Sequence, residues 1–173
     1  PKDAEAVDYR ANLTLLRAAE NAGLRHFILL SAICVQKPLL AFQYAKLKFE
    51  AELIDSPLAH TIVRPTAFFK SLSGQVERVR AGKPFLLFGD GALTRCKPIS
   101  DADLARFIAQ CVTDPTKYGA VLPIGGPGPA ITLKEQGELL FAAAGREPQF
   151  RSVPVAMFGV AERLLSLGAA VSD

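Results

Sequence analysis

The chain has 173 residues, half of them hydrophobic, and 20 Lys and Arg against 17 Asp and Glu. That is long enough for a real core and too apolar for a disordered segment. The interspersed charge excludes the clustered basic surface of a nucleic-acid binder.

The first residue is proline rather than methionine, which predicts a processed or truncated N-terminus. Residues 5–22, "EAVDYRANLTLLRAAENA", read as a helix with a stripe through Val7, Ala11, Leu15, Ala18 and Ala22, stopped by Gly23. "RHFILLSAI" is then a continuous apolar run of the kind that fits a parallel strand buried on both faces. Helical period returns over 39–54 at Leu40, Tyr44, Leu47, Ala51 and Ile54. "HTIVRP" forms a second short buried strand closed by Pro65, and a helix-like stretch, "FFKSLSGQVERVRAG", follows. This order predicts the later part of a doubly wound, Rossmann-like parallel sheet.

Residues 1–83 are assigned to that sheet domain, and residues 84–173, organised differently, to a smaller region interleaved with its last elements. "KPFLLFGDGALTRCKPIS" holds two strand-like pieces around the turn dipeptide Asp90-Gly91. Ser100 with Asp103, and Thr132 with Glu135, have the spacing of helix-start capping boxes. The helix after Ser100 carries Leu104, Phe107, Ile108 and Cys111 on its apolar positions. "GAVLPIGGPGPA" is a strand ending in a glycine–proline loop, the helix after Thr132 runs through Ala144 to a stop at Gly145, and Pro154 opens a final helix. The terminal stretch "VPVAMFGVAERLLSLGAAV" is broken by Glu162 and Arg163, so it falls short of the ~18 apolar residues of a membrane span and reads as core or a membrane-surface segment.

Few residues stand out chemically. Cys34, Cys96 and Cys111 show no metal-ligand spacing, which fits a reducing compartment and gives no metal site. The loop Gly125-Gly126-Pro127-Gly128 reads as a turn, because Pro127 removes a donor that a phosphate cradle needs. His26 and His60 lie at the amino ends of strands, away from the edge where open α/β sheets bind ligands. Ser31 lies at the carboxyl end of its strand, and Arg64-Pro65 ends the next, so "TAFFKS" opens onto the same rim. The helix between them carries Tyr44 and Lys48 one turn apart, and also Lys46. In a nicotinamide reductase a lysine so placed can bind ribose hydroxyls and lower the pKa of a neighbouring phenol, and a serine hydroxyl can orient an acceptor; the same spacing equally fits lysines on the solvent face of a helix.

The phrases "HFILLSAICVQKPL", "AKLKFEAEL", "IVRPTAFFKSLSGQVE", "FGDGALTRCKPISDADLA", "VLPIGGPGPAIT" and "GREPQF" resemble the atypical short-chain dehydrogenases, and within them the divinyl chlorophyllide 8-vinyl-reductases. The resemblance runs through residues 5–158. It implies an NADPH-binding Rossmann domain with a small C-terminal substrate lobe, reducing the 8-vinyl group of divinyl chlorophyllide or protochlorophyllide to ethyl. It also implies a plastid setting near thylakoid or envelope membranes, with a photosynthetic bacterium as the other setting.

The family's glycine-loop third is absent, so this stretch alone is expected to be inactive. Aligned back from Arg64, the family pattern puts its lysine at Lys46, with Glu50 and Leu53 following, and its tyrosine position at Phe42. The other register uses Tyr44 and Lys48. Ser31, Pro65, Thr66 and Ala67 are then expected near the nicotinamide in either register, with Lys46 on the ribose. Phe68, Phe69 and Lys70 are the candidate contacts to a flat, acid-bearing pigment. A non-catalytic dehydrogenase-like subunit of a larger complex remains the alternative.

Overall fold

The structure, a computed structural model, describes residues 2–154 and 156. The final helix expected after Pro154 lies outside them. The chain divides into two units, residues 1–70 with 98–127 and residues 71–97 with 128–173. Each unit is assembled from two stretches of chain, and positions 83 and 84, where the sequence suggests a boundary, both fall inside the second.

The first unit begins with one helical run in three parts: α1 (Lys2–Ala4), a π-helical segment (Glu5–Ala11) and α2 (Asn12–Asn21). Then come β1 (His26–Leu30), α3 (Ala41–Asp55) and β2 (Ala59–Pro65), the helix crossing between two parallel strands. A third parallel strand, β5 (Ala120–Ile124), joins the far side of β2, giving the order β1-β2-β5. β5 is reached through α5 (Asp101–Thr113), whose first turn is capped by Ser100 accepting from the Asp103 N–H at 3.0 Å.

Both faces of this sheet are covered. Ile62 packs with Leu16, Phe49 and Leu53 on one side, and Val63 packs with Ile99, Leu104 and Cys111 on the other. Adjacent residues of β2 thus point into different cores, and both are fully buried. That explains the unbroken apolar run in the sequence.

The helical stripes read from sequence are corrected. α2 buries Leu16 and Ala19, while Val7 and Leu15 are 63% and 60% exposed. The π-helical segment closes its turns at a wider spacing, so one stripe cannot be carried through it at 3.6 residues per turn. α3 buries Gln43, Ala45, Phe49, Glu50 and Leu53, whereas Leu40, Tyr44 and Ile54 stay exposed. Two polar side chains therefore hold core-facing positions that an apolar count passes over.

The second unit contains α4 (Ser73–Arg80), β3 (Phe85–Phe88), β4 (Arg95–Cys96), β6 (Ile131–Thr132), α6 (Leu133–Ala143) and β7 (Phe150–Val153). Asp90-Gly91 does form a turn, with the Gly91 N–H donating to Phe88 O at 3.1 Å. The flanking strands do not pair with each other: β3 lies parallel to β7, and β4 antiparallel to β6. Val79, Phe85, Leu87 and Phe141 make this unit's core. The Thr132–Glu135 capping box is present in full, with both reciprocal bonds formed.

Candidate active-site rim

The loops that follow β1 and β2 lie at the carboxyl ends of parallel strands, the edge where open α/β sheets take ligands. Ser31 directly follows β1 there. Its backbone N–H continues the ladder to Val63 O at 2.8 Å, and the residue is buried. Its hydroxyl donates to Glu50 Oε1 at 2.5 Å. Glu50 is only 2% exposed, and its carboxylate also receives Arg64, through Nε at 3.2 Å and through Nη2. Serine, glutamate and arginine thus tie the end of β1, the middle of α3 and the end of β2 into one buried network. A carboxylate only accepts hydrogen bonds, so Ser31 is the donor in this pair and keeps only lone pairs for any other group.

This network fixes how α3 is turned. Lys46 lies one turn before Glu50 and about 40° around the helix, whereas Tyr44 and Lys48 are about 120° and 160° away. α3 runs back against the strands, so Lys46 sits ~6 Å beyond Glu50 along the axis, toward the loops. Its side chain is 25% exposed and its Nζ meets Asp8 Oδ1 at 2.9 Å. Lys48 is 52% exposed, pairs with Glu5 at 3.1 Å and lies 3.8 Å above the Tyr9 ring. Tyr44 is 57% exposed. Lys46 thus lies on nearly the same face of α3 as Glu50, with Phe42, half-buried, one turn further on.

The start of α3 is held by Gln43 rather than by a polar N-cap. Its Oε1 accepts from the Leu39 and Leu40 N–H groups at 2.7 and 2.8 Å, while its Nε2 donates to Cys34 O at 3.2 Å. One side chain thereby fastens the loop after β1 to the helix.

Pro65, the last residue of β2, is buried, and after it Thr66 is half-buried and Ala67 exposed. The Thr66 N–H donates to Ile124 O at 2.9 Å and Ala67 O accepts from Ile99 N–H at 2.9 Å, so this loop is anchored on both sides. Phe68 packs into the core beneath α5, while Phe69 and Lys70 are exposed. Gly126 lies so close to the Pro98 carbonyl that a Cβ would meet its oxygen at 2.1 Å. A tight backbone packing thus accounts for a glycine in that loop. His26, opening β1, bonds Thr61 Oγ1 at 2.9 Å and stacks on Tyr118; burial, followed by the charge of His60, lowers its pKa.

Sequence reasoning named Ser31 and Lys46 but gave no role to Glu50, Arg64 or Asp8. Glu50 and Arg64 were visible as fixed steps of the dehydrogenase-like pattern. Asp8 had no signal beyond its place in a polar helix turn. Among the described residues, no group of three His, Cys, Asp or Glu could hold a metal, and no helix is long and apolar enough to cross a membrane.

A parallel sheet covered by helices on both faces, with polar groups gathered at its carboxyl edge, defines a doubly wound α/β protein. Residues 2–115 match the NAD(P)H-binding family, and the chain belongs to that family. It is 60% identical over 160 residues to the chloroplastic divinyl chlorophyllide a 8-vinyl-reductase of Arabidopsis thaliana, covering 89% of this chain and 38% of that protein. To the same-named protein of Cucumis sativus it is 56% identical over 181 residues, covering 99% and 43%. The chain thus spans about two-fifths of the length of the curated relatives it matches. Among solved structures it resembles UDP-glucuronic acid 4-epimerase from Bacillus cereus in complex with NAD, with a TM-score of 0.75 and 18% identity over 85% of this chain and 55% of that one. That likeness bears on the fold.

Proposed function

We propose that the protein carrying this chain reduces the 8-vinyl group of divinyl chlorophyllide, or of its protochlorophyllide precursor, to ethyl with NADPH, in plastids and beside thylakoid or envelope membranes. The observation that carries this reading is the 56–60% identity to chloroplastic 8-vinyl-reductases along the stretch that builds the rim.

The residues present fit the ribose–nicotinamide end of such a cofactor. Lys46 offers an ammonium at the rim, and Thr66 and Ala67 give the end of β2 small side chains that leave room for a flat ring. No glycine-rich phosphate cradle is found in this sequence, so the pyrophosphate would be held by parts of the protein beyond these residues. Bound NADPH would supply hydride to one vinyl carbon, and the other carbon takes a proton. With Phe42 in the position expected of a phenol, the proton would come from water or from another residue, and neither Tyr44 nor Lys48 takes part. Ser31 acts from beneath, holding the strand end through Glu50. Phe69 and Lys70 lie exposed after β2, an aromatic face and a cation suited to a flat acid.

Phe42 is also the observation that favours the second reading, a dehydrogenase-like subunit without activity. The complete protein, given divinyl chlorophyllide a and NADPH and followed by chromatography, distinguishes the two. Monovinyl product from the wild type, and its loss in Lys46→Met, is the expected result. No product from folded protein, beside a control enzyme that turns over, overturns the reductase reading.

A further inference from the structure

We infer that Asp8 is a positioning residue for Lys46, and that the π-helical turn before α2 holds it in place for that task. The inference rests on the reading of Lys46 as the ribose-binding lysine and adds what orders it.

Three observations carry it. First, residues 5–11 are wound as a π-helix, a local form in which each turn takes in an extra residue and which recurs at functional sites. After this segment, Leu13 and Leu16 face the core, and Tyr9 still packs against it. The acids beside Tyr9 are directed to α3 instead: Asp8 reaches Lys46 and Glu5 reaches Lys48.

Second, the wide turn is stitched at Asp8. The Asn12 side-chain amide donates to Val7 O at 3.2 Å and to Asp8 O at 3.1 Å. Asparagine inside a helix is ordinarily a weak choice, because its amide competes for backbone groups. Here that competition serves the carbonyls of the widened turn.

Third, the pair is more sheltered than its neighbours. The side chains of Lys46 and Asp8 are 25% and 23% exposed, against 52% and 41% for Lys48 and Glu5, and 75% for Arg10 beside the same Glu5. Exposed pairs add little, whereas a partly desolvated one is screened less and holds its geometry.

The chemistry gives the arrangement a use. A lysine side chain is long and loses much rotamer freedom when fixed. Asp8 fixes it before the cofactor arrives. An ammonium has three N–H donors; Asp8 engages one, and two remain for the neighbouring hydroxyls of a ribose.

The test uses the complete protein and four variants: Asp8→Asn, Asp8→Glu, Lys46→Met and the double variant Asp8→Asn with Lys46→Met. Affinity is measured by fluorescence titration for NADPH and for the adenosine bisphosphate fragment that lacks the nicotinamide ribose. Asp8→Asn is expected to weaken NADPH by about two- to tenfold, the scale of ordering one rotamer-rich side chain, and to leave the fragment's affinity unchanged. The double variant should then bind NADPH no worse than Lys46→Met alone, and Asp8→Glu should recover part of the loss. A merely structural role would lower the urea midpoint without separating the two ligands. Unchanged NADPH affinity in Asp8→Asn, or losses that add in the double variant, overturns the inference and leaves the Lys46 reading standing. Lys46→Met with NADPH affinity unchanged overturns that reading, and this inference with it. Should Asp8→Asn not fold, Asp8→Glu carries the same comparison: it must weaken NADPH selectively, and equal effects on both ligands overturn the inference.

Discussion

Truncating Glu50 to alanine tests whether the buried network holds the rim together. The change removes the acceptor of the Ser31 hydroxyl and both contacts to the Arg64 guanidinium. Removing one partner of a buried ion pair costs about 3–5 kcal/mol, because the other charge stays buried without compensation. The Arg64 side chain keeps 17% of its exposure, so water reaches part of it and the low end of that range applies. The orphaned Ser31 hydroxyl adds about 1 kcal/mol, the least expected for a buried polar group left unsatisfied. The sum is about 4 kcal/mol, a large share of the ~5–15 kcal/mol that holds an ordinary domain together. Glu50→Gln keeps the volume and an acceptor for Ser31 and loses only the charge, so it should cost about half as much. Replacing both partners, Glu50→Leu with Arg64→Met, should cost less than Glu50→Ala alone, since no charge is left stranded. Urea unfolding of the complete protein followed by circular dichroism measures all three. A shift below about 1 kcal/mol for Glu50→Ala, in the range of surface substitutions, would refute the argument. So would a double replacement worse than the single one.

Two further predictions concern backbone and charge. Gly126→Ala should destabilise by about 1–3 kcal/mol, the usual range for overpacking, because the new Cβ meets a backbone oxygen, at Pro98, that has no rotamer to escape into. Gly74→Ala, inside α4 and with nothing within 4 Å of its Cβ, is the control and should be neutral or stabilise by up to about 1 kcal/mol, so thermal melts of both should separate clearly. Asp114 accepts from the Thr116 N–H at 3.0 Å and pairs with Lys117. Lys117 foremost, then Thr116, pulls its pKa from 3.8 down to about 2. The unfolded chain takes up that proton first, so the contribution is complete above the ordinary carboxylate range and is lost as pH falls toward about 2. Asp114→Asn should therefore flatten the acid side of the stability profile in urea titrations; an unchanged slope would contradict the assignment.

Apolar content and turn chemistry made the sheet legible in the sequence. The run "HFILLS" and the stretch "HTIVRP" became β1 and β2 because a parallel strand buried on both faces needs no alternation, and Ile62 and Val63 meet that need. Pairing was not legible in the same way. Asp90-Gly91 marks a turn as expected, yet β3 finds its partner at β7, more than fifty residues away, because turn chemistry is local and strand choice is not. The polar network at the strand ends was legible as a position and only partly as a set of residues. An apolar stripe drawn through Tyr44 and Ile54 turns α3 the wrong way, since that count leaves out Gln43 and Glu50, which are buried and satisfied by hydrogen bonds. Once Glu50 is fixed between Ser31 and Arg64, Lys46 follows it on nearly the same face of α3, and Tyr44, about 120° round, does not. Polar residues in the interior thus set the register of the helix, a signal that an apolar count does not carry.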